Sequence, residues 1–241
     1  MRRVVTPLLP IGLITSVALT LIASSAFAFT LRSPQIAIPP TSSDGVTLQD
    51  YFNSISESIN VGTDQLDAQV WDGSGPPGNS VFTLMIELAG NAPQNAIGVY
   101  NSGGGPTPTL FQLFPGAATA GWFVDAHFAG GNLSVALFDN NSVFQGSTLY
   151  TGVNANSFGF YLQGPGGTFY SEDYRNGGGL AQVLTYAGTG VNTGDWWECF
   201  EDLPVAAGSD SDFDDAVLLL QSIAPTPAKG TSWGKLKSLY R

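Results

Sequence analysis

The segment SFGFYLQGPGGTFYSEDY, Ser157 to Tyr174, sets the fold class. Two runs rich in Phe and Tyr, Ser157 to Leu162 and Thr168 to Tyr174, flank the connection QGPGG at 163–167. Aromatic, β-prone runs separated by a short Gly/Pro connection read as a β-hairpin. Outward from it the same pattern recurs in both directions. Val81 to Leu88 (VFTLMIEL) is too continuously apolar for a half-exposed strand and reads as a central one. Ala96 to Tyr100, Thr109 to Phe114 and Trp122 to Phe128 follow, separated by NSGGGPTP and PGAATAG. Asn132 to Phe138 (NLSVALF) alternates apolar and polar. Gln182 to Tyr186, Trp196 to Leu203 and Ala216 to Ile223 complete the set. Roughly ten strands at this spacing, joined by Gly-rich turns, imply an all-β fold, a β-sandwich or jelly roll.

One helix interrupts the pattern. In TLQDYFNSISESI, Leu48, Phe52, Ile55 and Ile59 recur at helical spacing. Thr47 can cap this helix, and Asp50 falls in the first turn, where the helix dipole favours an acid. A short N-terminal helix packed against a sheet is therefore expected.

The ends differ from the middle. Arg2 and Arg3, an apolar stretch from Val4 to Ile22 and Ala26-Phe27-Ala28 read as a signal peptide over residues 1–28. Residues 29–46 are Pro/Ser-rich and read as an extended leader, and 47–223 as the β-sandwich domain. Residues 224–241 hold a linker, APTPAKG, and a basic tail, TSWGKLKSLYR. No other stretch is apolar and long enough for a transmembrane helix in the mature chain. The expected location is secreted, extracellular or at the cell surface.

The chain of 241 residues has a net charge of −11, and the charge is unevenly placed. All 19 acids lie between Asp44 and Asp215, while Arg175 is the only base between Ser33 and Ala228. Such a domain repels phosphate, which argues against nucleic acid as a partner and is compatible with cations. Cys199 is the single cysteine, so an intrachain disulfide is excluded. Its neighbours Trp196, Trp197 and Phe200 mark it as a small buried hydrophobe.

The acids concentrate in FEDLPVAAGSDSDFDDAVLLL, Phe200 to Leu220. Glu201, Asp202, Asp210, Asp212, Asp214 and Asp215 are the candidate metal ligands. Two carboxylates about 4 Å apart repel by about 4 kcal/mol at an effective dielectric near 20. Exposure, protonation or a cation relieves this, and a solvated charge run guarding a sheet edge is the alternative to a site. Ca2+ suits the set, because it takes hard oxygen ligands in irregular geometry. Zinc would call on His127 or Cys199, and neither sits in a ligand pattern. An extended chain at 210–214 would put Asp210, Asp212 and Asp214 on one face and turn Phe213 toward the core. The run is not an EF-hand: Asp215 stands where glycine is required and Gln221 where the bidentate Glu belongs.

The same run resembles the signature of the DUF4114 family: FEDL at Phe200 to Leu203, a short loop, then Asp210, Asp212, Phe213, Asp214 and Asp215 entering a strand. FGFYL (Phe158 to Leu162) and TFYSEDYRN (Thr168 to Asn176) are similar to that family too, which places the DUF4114-like part at about 150–223. FTLMIELAGNAPQNAIGVYN (Phe82 to Asn101) resembles the domain that precedes it in secreted bacterial proteins of the PEP-CTERM kind, here without the PEP-CTERM anchor. The resemblance implies an extracellular, mostly β domain of bacterial surface and matrix proteins. Two features depart from the family pattern: Asp214 stands where Asn is common, and the loop from Leu203 to Ser209 is apolar rather than Gly-rich.

No catalytic set emerges. His127 is the only histidine, and G-x-S-x-G, H-E-x-x-H and phosphate-loop patterns are absent from the sequence. Glu198, Glu201 and Asp202 lie close in sequence, but that spacing does not establish the cross-cleft pair a glycosidase needs. The sequence reads as a non-catalytic structural or adhesion module of the cell surface or matrix, stabilised by Ca2+. The alternative is a carbohydrate-binding module, its glycan stacked on exposed aromatics among Trp71, Trp122, Trp196, Trp197 and the tyrosines.

Overall fold

The computed structural model describes residue 36 and residues 45–74, 79–88 and 90–226. The expected signal peptide, nearly all of the leader, and the basic tail lie outside the described residues. The described strands form two antiparallel sheets packed as a β-sandwich.

The strands are β1 (Trp71–Asp72), β2 (Asn79–Glu87), β3 (Ala96–Asn101), β4 (Leu110–Phe114), β5 (Phe123–Ala129), β6 (Asn132–Phe138) and β7 (Phe144–Thr151). They continue with β8 (Phe158–Gly164), β9 (Gly167–Tyr170), β10 (Val183–Ala187), β11 (Trp196–Phe200), β12 (Ala216–Gln221) and β13 (Ala224–Pro225). The larger sheet runs β10-β11-β12-β2-β5-β6-β7, and the smaller runs β13-β1-β8-β3-β4 with β9 beside β8. The Ser157–Tyr174 segment does form a hairpin, with Gly164 opposite Gly167 across the turn. Its second strand is shorter than the sequence suggests. The Asn176 side chain accepts from Tyr170 N and donates to Tyr170 O, at 2.9 and 2.8 Å, and so takes the place of a neighbouring strand. The chain then turns through a 3-10 helix at Asp173–Arg175.

Both faces of the larger sheet are used at its β10-β11-β12 end. On β11, Trp196 and Phe200 face the core between the sheets, and Trp197 and Cys199 face the outer cluster. That outer face is covered by α1 (Leu48–Ser54), whose Leu48 and Phe52 pack against Tyr186 and Trp197. Phe52 meets Tyr186 edge-on at 5.7 Å and Trp197 at 5.4 Å. A strand buried on both faces has no polar side to show, which is why WWECF and AVLLLQ lack alternation. β2 is central, between β12 and β5, as its apolar run implies.

The helix starts where the sequence says. Thr47 Oγ1 accepts from Asp50 N at 3.1 Å, and the Asp50 carboxylate reaches back to Thr47 N, a complete capping box. It stops at Ser54, shorter than the apolar spacing suggests, and Ser56 turns left-handed at φ 64°. Ile59 is still buried, but from the turn beyond the helix.

The outer face of the smaller sheet carries Tyr100, Tyr161 and Tyr170. Among the described residues Arg175 is the only Lys or Arg, and it is sequestered here. Its guanidinium lies 5.1, 5.8 and 4.8 Å from the ring centroids of Tyr100, Tyr170 and Tyr174. It pairs with Glu172 at 2.7 Å and donates to the carbonyls of Gly104 and Gly105, which ties down the glycine-rich loop after β3.

Candidate metal centre

The acidic run is a corner between β11 and β12. β11 ends at Phe200, not at Leu203, because the chain leaves the sheet to turn at Pro204. Gln182 guides the exit. Its carbonyl accepts from Glu201 N at 3.0 Å, its side-chain amide donates to Leu203 O at 2.9 Å, and its side-chain oxygen accepts from Val205 N.

The chain is not extended at 210–214. Ser211 and Phe213 take left-handed backbone, at φ 62° and 55°. The two reversals break the simple alternation by which Asp210, Asp212 and Asp214 would share a face. Phe213 does turn inward, fully buried in the cluster with Trp197, Cys199 and Val217. Its amide donates to Glu201 Oε1 at 2.7 Å, so the corner is closed by a carboxylate from its own opposite side. Glu201 also accepts from the Ser209 hydroxyl. Ser209 Oγ in turn accepts from Ser211 N at 2.8 Å.

Three of the six acids converge. Glu201, Asp210 and Asp212 each offer a carboxylate oxygen, and these oxygens all lie within 4.8 Å of one another. A Ca2+ ion bonded at about 2.4 Å holds oxygens no farther apart than about 4.8 Å, so the spacing fits one ion. Asp202 and Asp215 line the cleft beside them, of about 310 Å3, together with Glu201, Asp210, Gly90 and Asn91. Asp214 does neither. It is buried, and its charge is felt instead at Cys199.

The flanking acids are held in place. Asp215 accepts from Asp202 N at 2.8 Å, and Asp202 accepts from Asn95 Nδ2 at 2.9 Å. The turn of the β8–β9 hairpin presses on this pair. A Cβ on Gly166 would collide with the Asp202 carbonyl, and one on Gly164 with Asn95 Oδ1. Leu88 N donates to Asp215 O at 3.1 Å. Thus the segments around 82–101, 158–176 and 200–215, far apart in sequence, meet at one corner.

Burial and crowding shape the electrostatics. The Glu201 carboxyl is pushed up to about 8, chiefly by burial and further by Asp215 and Asp212. Its hydrogen bonds from Ser209 and Phe213 only partly oppose this. Asp215 is pushed up to about 7, again first by burial and then by Asp202, Asp212 and Asp210. Glu87, opposite Ala216 across β2 and β12, is pushed up to about 7 by burial. Arg175, the only Lys or Arg among the described residues, is committed to Glu172.

The donor set is hard oxygen throughout. Cys199 lies fully buried, its thiol pushed well up by burial and by Glu198 and Asp214, which leaves it neutral and unreactive. His127 faces outward on β5 against the Asn79 side-chain oxygen. Sequence reasoning missed Ser209, Ser211, Asn91, Asn95 and Gln182. The two serines alternate with the aspartates and could have been read as oxygen donors. The others come from distant segments and leave no local signal.

Of the four tryptophans named for sugar stacking, two are sealed in the core and two are half-buried against it. Trp71 and Trp197 are fully buried, and Trp122 and Trp196 pack against the inter-sheet cluster. Glu198 is fully buried too and, by strand alternation, points between the sheets, away from Glu201.

The chain matches no protein-family model, no curated protein and no solved structure.

Proposed function

We propose that this protein is a secreted or cell-surface, non-catalytic structural or adhesion module whose acidic corner is held together by Ca2+. The convergence of Glu201, Asp210 and Asp212 carries the reading: each offers a carboxylate oxygen to one ion-sized space. A bound Ca2+ would neutralise the crowded carboxylates and fasten the β11–β12 corner to the β8–β9 turn. Asp202 and Asp215 would complete the charge around it. The likeness of FEDL and the following Asp run to DUF4114 supports a place on a bacterial surface or in a matrix, as does the signal-peptide pattern at 1–28.

A non-catalytic role is supported by the site itself. Cys199 is neutral and buried, His127 lies on another strand, and Glu198 is sealed in the core. For the glycan reading, Trp71 and Trp197 are buried, which leaves half-buried Trp122 and Trp196 and the tyrosines as its candidate stacking rings. Isothermal titration with Ca2+ tests the proposal. One site per chain is expected in the unmodified protein, and Asp210→Asn, at an exposed position, should weaken it at least tenfold. Absence of heat and of any Ca2+ uptake by equilibrium dialysis at millimolar concentration would reject the metal site.

A further inference from the structure

The larger sheet has two ends, and they are finished differently. At the β10 end, Leu66 forms a bridge to Thr185 along the outer edge, and α1 covers the outer face. In the smaller sheet, the edge strand β4 is bonded by a neighbour, since Tyr150 Oη donates to Gln112 O at 3.0 Å. Strand β7 has β6 on one side and no strand among the described residues on the other. It is eight residues long, mostly exposed on both faces, and carries exposed Phe144 and Leu149, with exposed Val143 just before it.

Free edges are normally guarded by charges, prolines or a covering segment. Among the described residues, this one has none of these. FQGSTLYT contains no charged residue and no proline, and no charged residue occurs between Asp139 and Glu172. Asp139 is itself occupied, accepting from Asn141 N, Val143 N and Gln145 Nε2. Next to the edge, the outer face bears an aromatic row running onto β7. Phe123 stacks on Phe138 at 4.9 Å, and Phe138 meets Phe144 edge-on at 5.7 Å.

We propose that β7 is a self-association edge, along which two copies of this chain pair antiparallel about a two-fold axis and join their larger sheets into one. Charge selects the occupant. An identical copy carries the same net charge of −11, so approach through the acid-bearing surfaces sets like charges against each other. The uncharged β7 edge is where that repulsion is least. Pairing centred on Thr148 places Leu149 opposite the second copy's Ser147 on the outer face. It also places Tyr150 opposite Gly146 on the inner face, so each ring, held by Phe111 and Gln112 O of its own copy, meets a residue with no side chain to clash with it.

Sedimentation velocity of the full mature chain in EDTA, from low micromolar to near-millimolar concentration, tests this without interference from Ca2+. A monomer–dimer equilibrium is expected, and Leu149→Glu should weaken it at least tenfold while leaving the melting temperature of the dilute monomer unchanged. A second test does not depend on that variant. Ser147→Cys, Thr148→Cys and Leu149→Cys are made singly and oxidised mildly. A residue on the two-fold axis lies about 4.5–5.5 Å from its own copy, within disulfide reach, whereas its neighbours lie about 7–8 Å from theirs, so one position alone can bridge. One of the three should cross-link to a dimer while buried Cys199 stays silent. A chain that stays monomeric throughout the range, a dimer indifferent to L149E, or failure of all three cysteines to cross-link would overturn the proposal.

Discussion

Substituting Glu201→Gln should stabilise the metal-free protein, although it alters the centre of the proposed site. Glu201 is buried and its carboxyl is pushed from the ordinary 4.5 up to about 8. A carboxyl raised in the folded state favours folding most fully below its unfolded value. That contribution is lost as the pH rises through the folded value, because folding then demands proton uptake. At pH 7 the uptake by Glu201 costs about 3 kcal/mol relative to pH below 4.5. Asp215, raised from 3.8 to about 7, adds a loss of the same sign over a slightly lower window. Glutamine keeps an oxygen for the Phe213 amide and can bond the Ser209 hydroxyl, but it never ionises. For a domain of this size each kcal/mol moves the melting temperature by about 2–4 °C. In EDTA, E201Q should therefore melt on the order of 5–10 °C above the unmodified protein at pH 7–8. The two should converge near pH 4–5. Thermal melts followed by near-ultraviolet circular dichroism across pH 4–9 decide it. If the metal-free protein gained stability from pH 5 to 8, or if E201Q melted lower at pH 8, the electrostatic account of the corner would be wrong.

Three further outcomes follow from the packing. Arg175→Ala strips the buried Glu172 of its ion pair and frees the loop after β3, which should cost about 3–5 kcal/mol in urea unfolding; Arg175→Lys should recover less than half, since a compact ammonium lacks the planar fork whose separate nitrogens reach Glu172 and the two carbonyls. Phe213→Ala removes a fully buried ring from the corner and should cost about 3–5 kcal/mol by the same measurement. Thr47→Ala breaks the capping box of α1 and should cost about 1 kcal/mol, with faster amide exchange in the first helical turn.

Most of the architecture is legible in the sequence because burial writes itself into residue choice. The hairpin around QGPGG, the central β2 run and the alternating NLSVALF each carry their own signal. β7 does not. It is exposed on both faces, so FQGSTLYT has neither alternation nor an apolar run, and only the pairing partner β6 defines it as a strand. β9 ends early because a single side chain, Asn176, replaces its neighbour, an effect that no period in the sequence reveals. At the corner, the acids were visible as composition, and Phe213 as the core-facing residue. Their arrangement was not, since left-handed backbone at Ser211 and Phe213 overrides the period-two rule. Asn95, Gly164 and Gly166 join the site only through the sandwich topology.

The claim that Ca2+ holds the corner is tested most directly by the melting temperature with and without the ion, with Mg2+ as control. A site of the affinity usual in extracellular modules, with Ca2+ at about 10–100 times its dissociation constant, gains about 1.5–2.7 kcal/mol. That corresponds to a rise of roughly 3–10 °C. The rise should be larger at pH 8 than at pH 6, because the ion must displace protons from Glu201 and Asp215, and it should vanish in Asp210→Asn/Asp212→Asn. A melting temperature unchanged by Ca2+ at pH 8, or a rise that the double variant retains in full, would contradict the account.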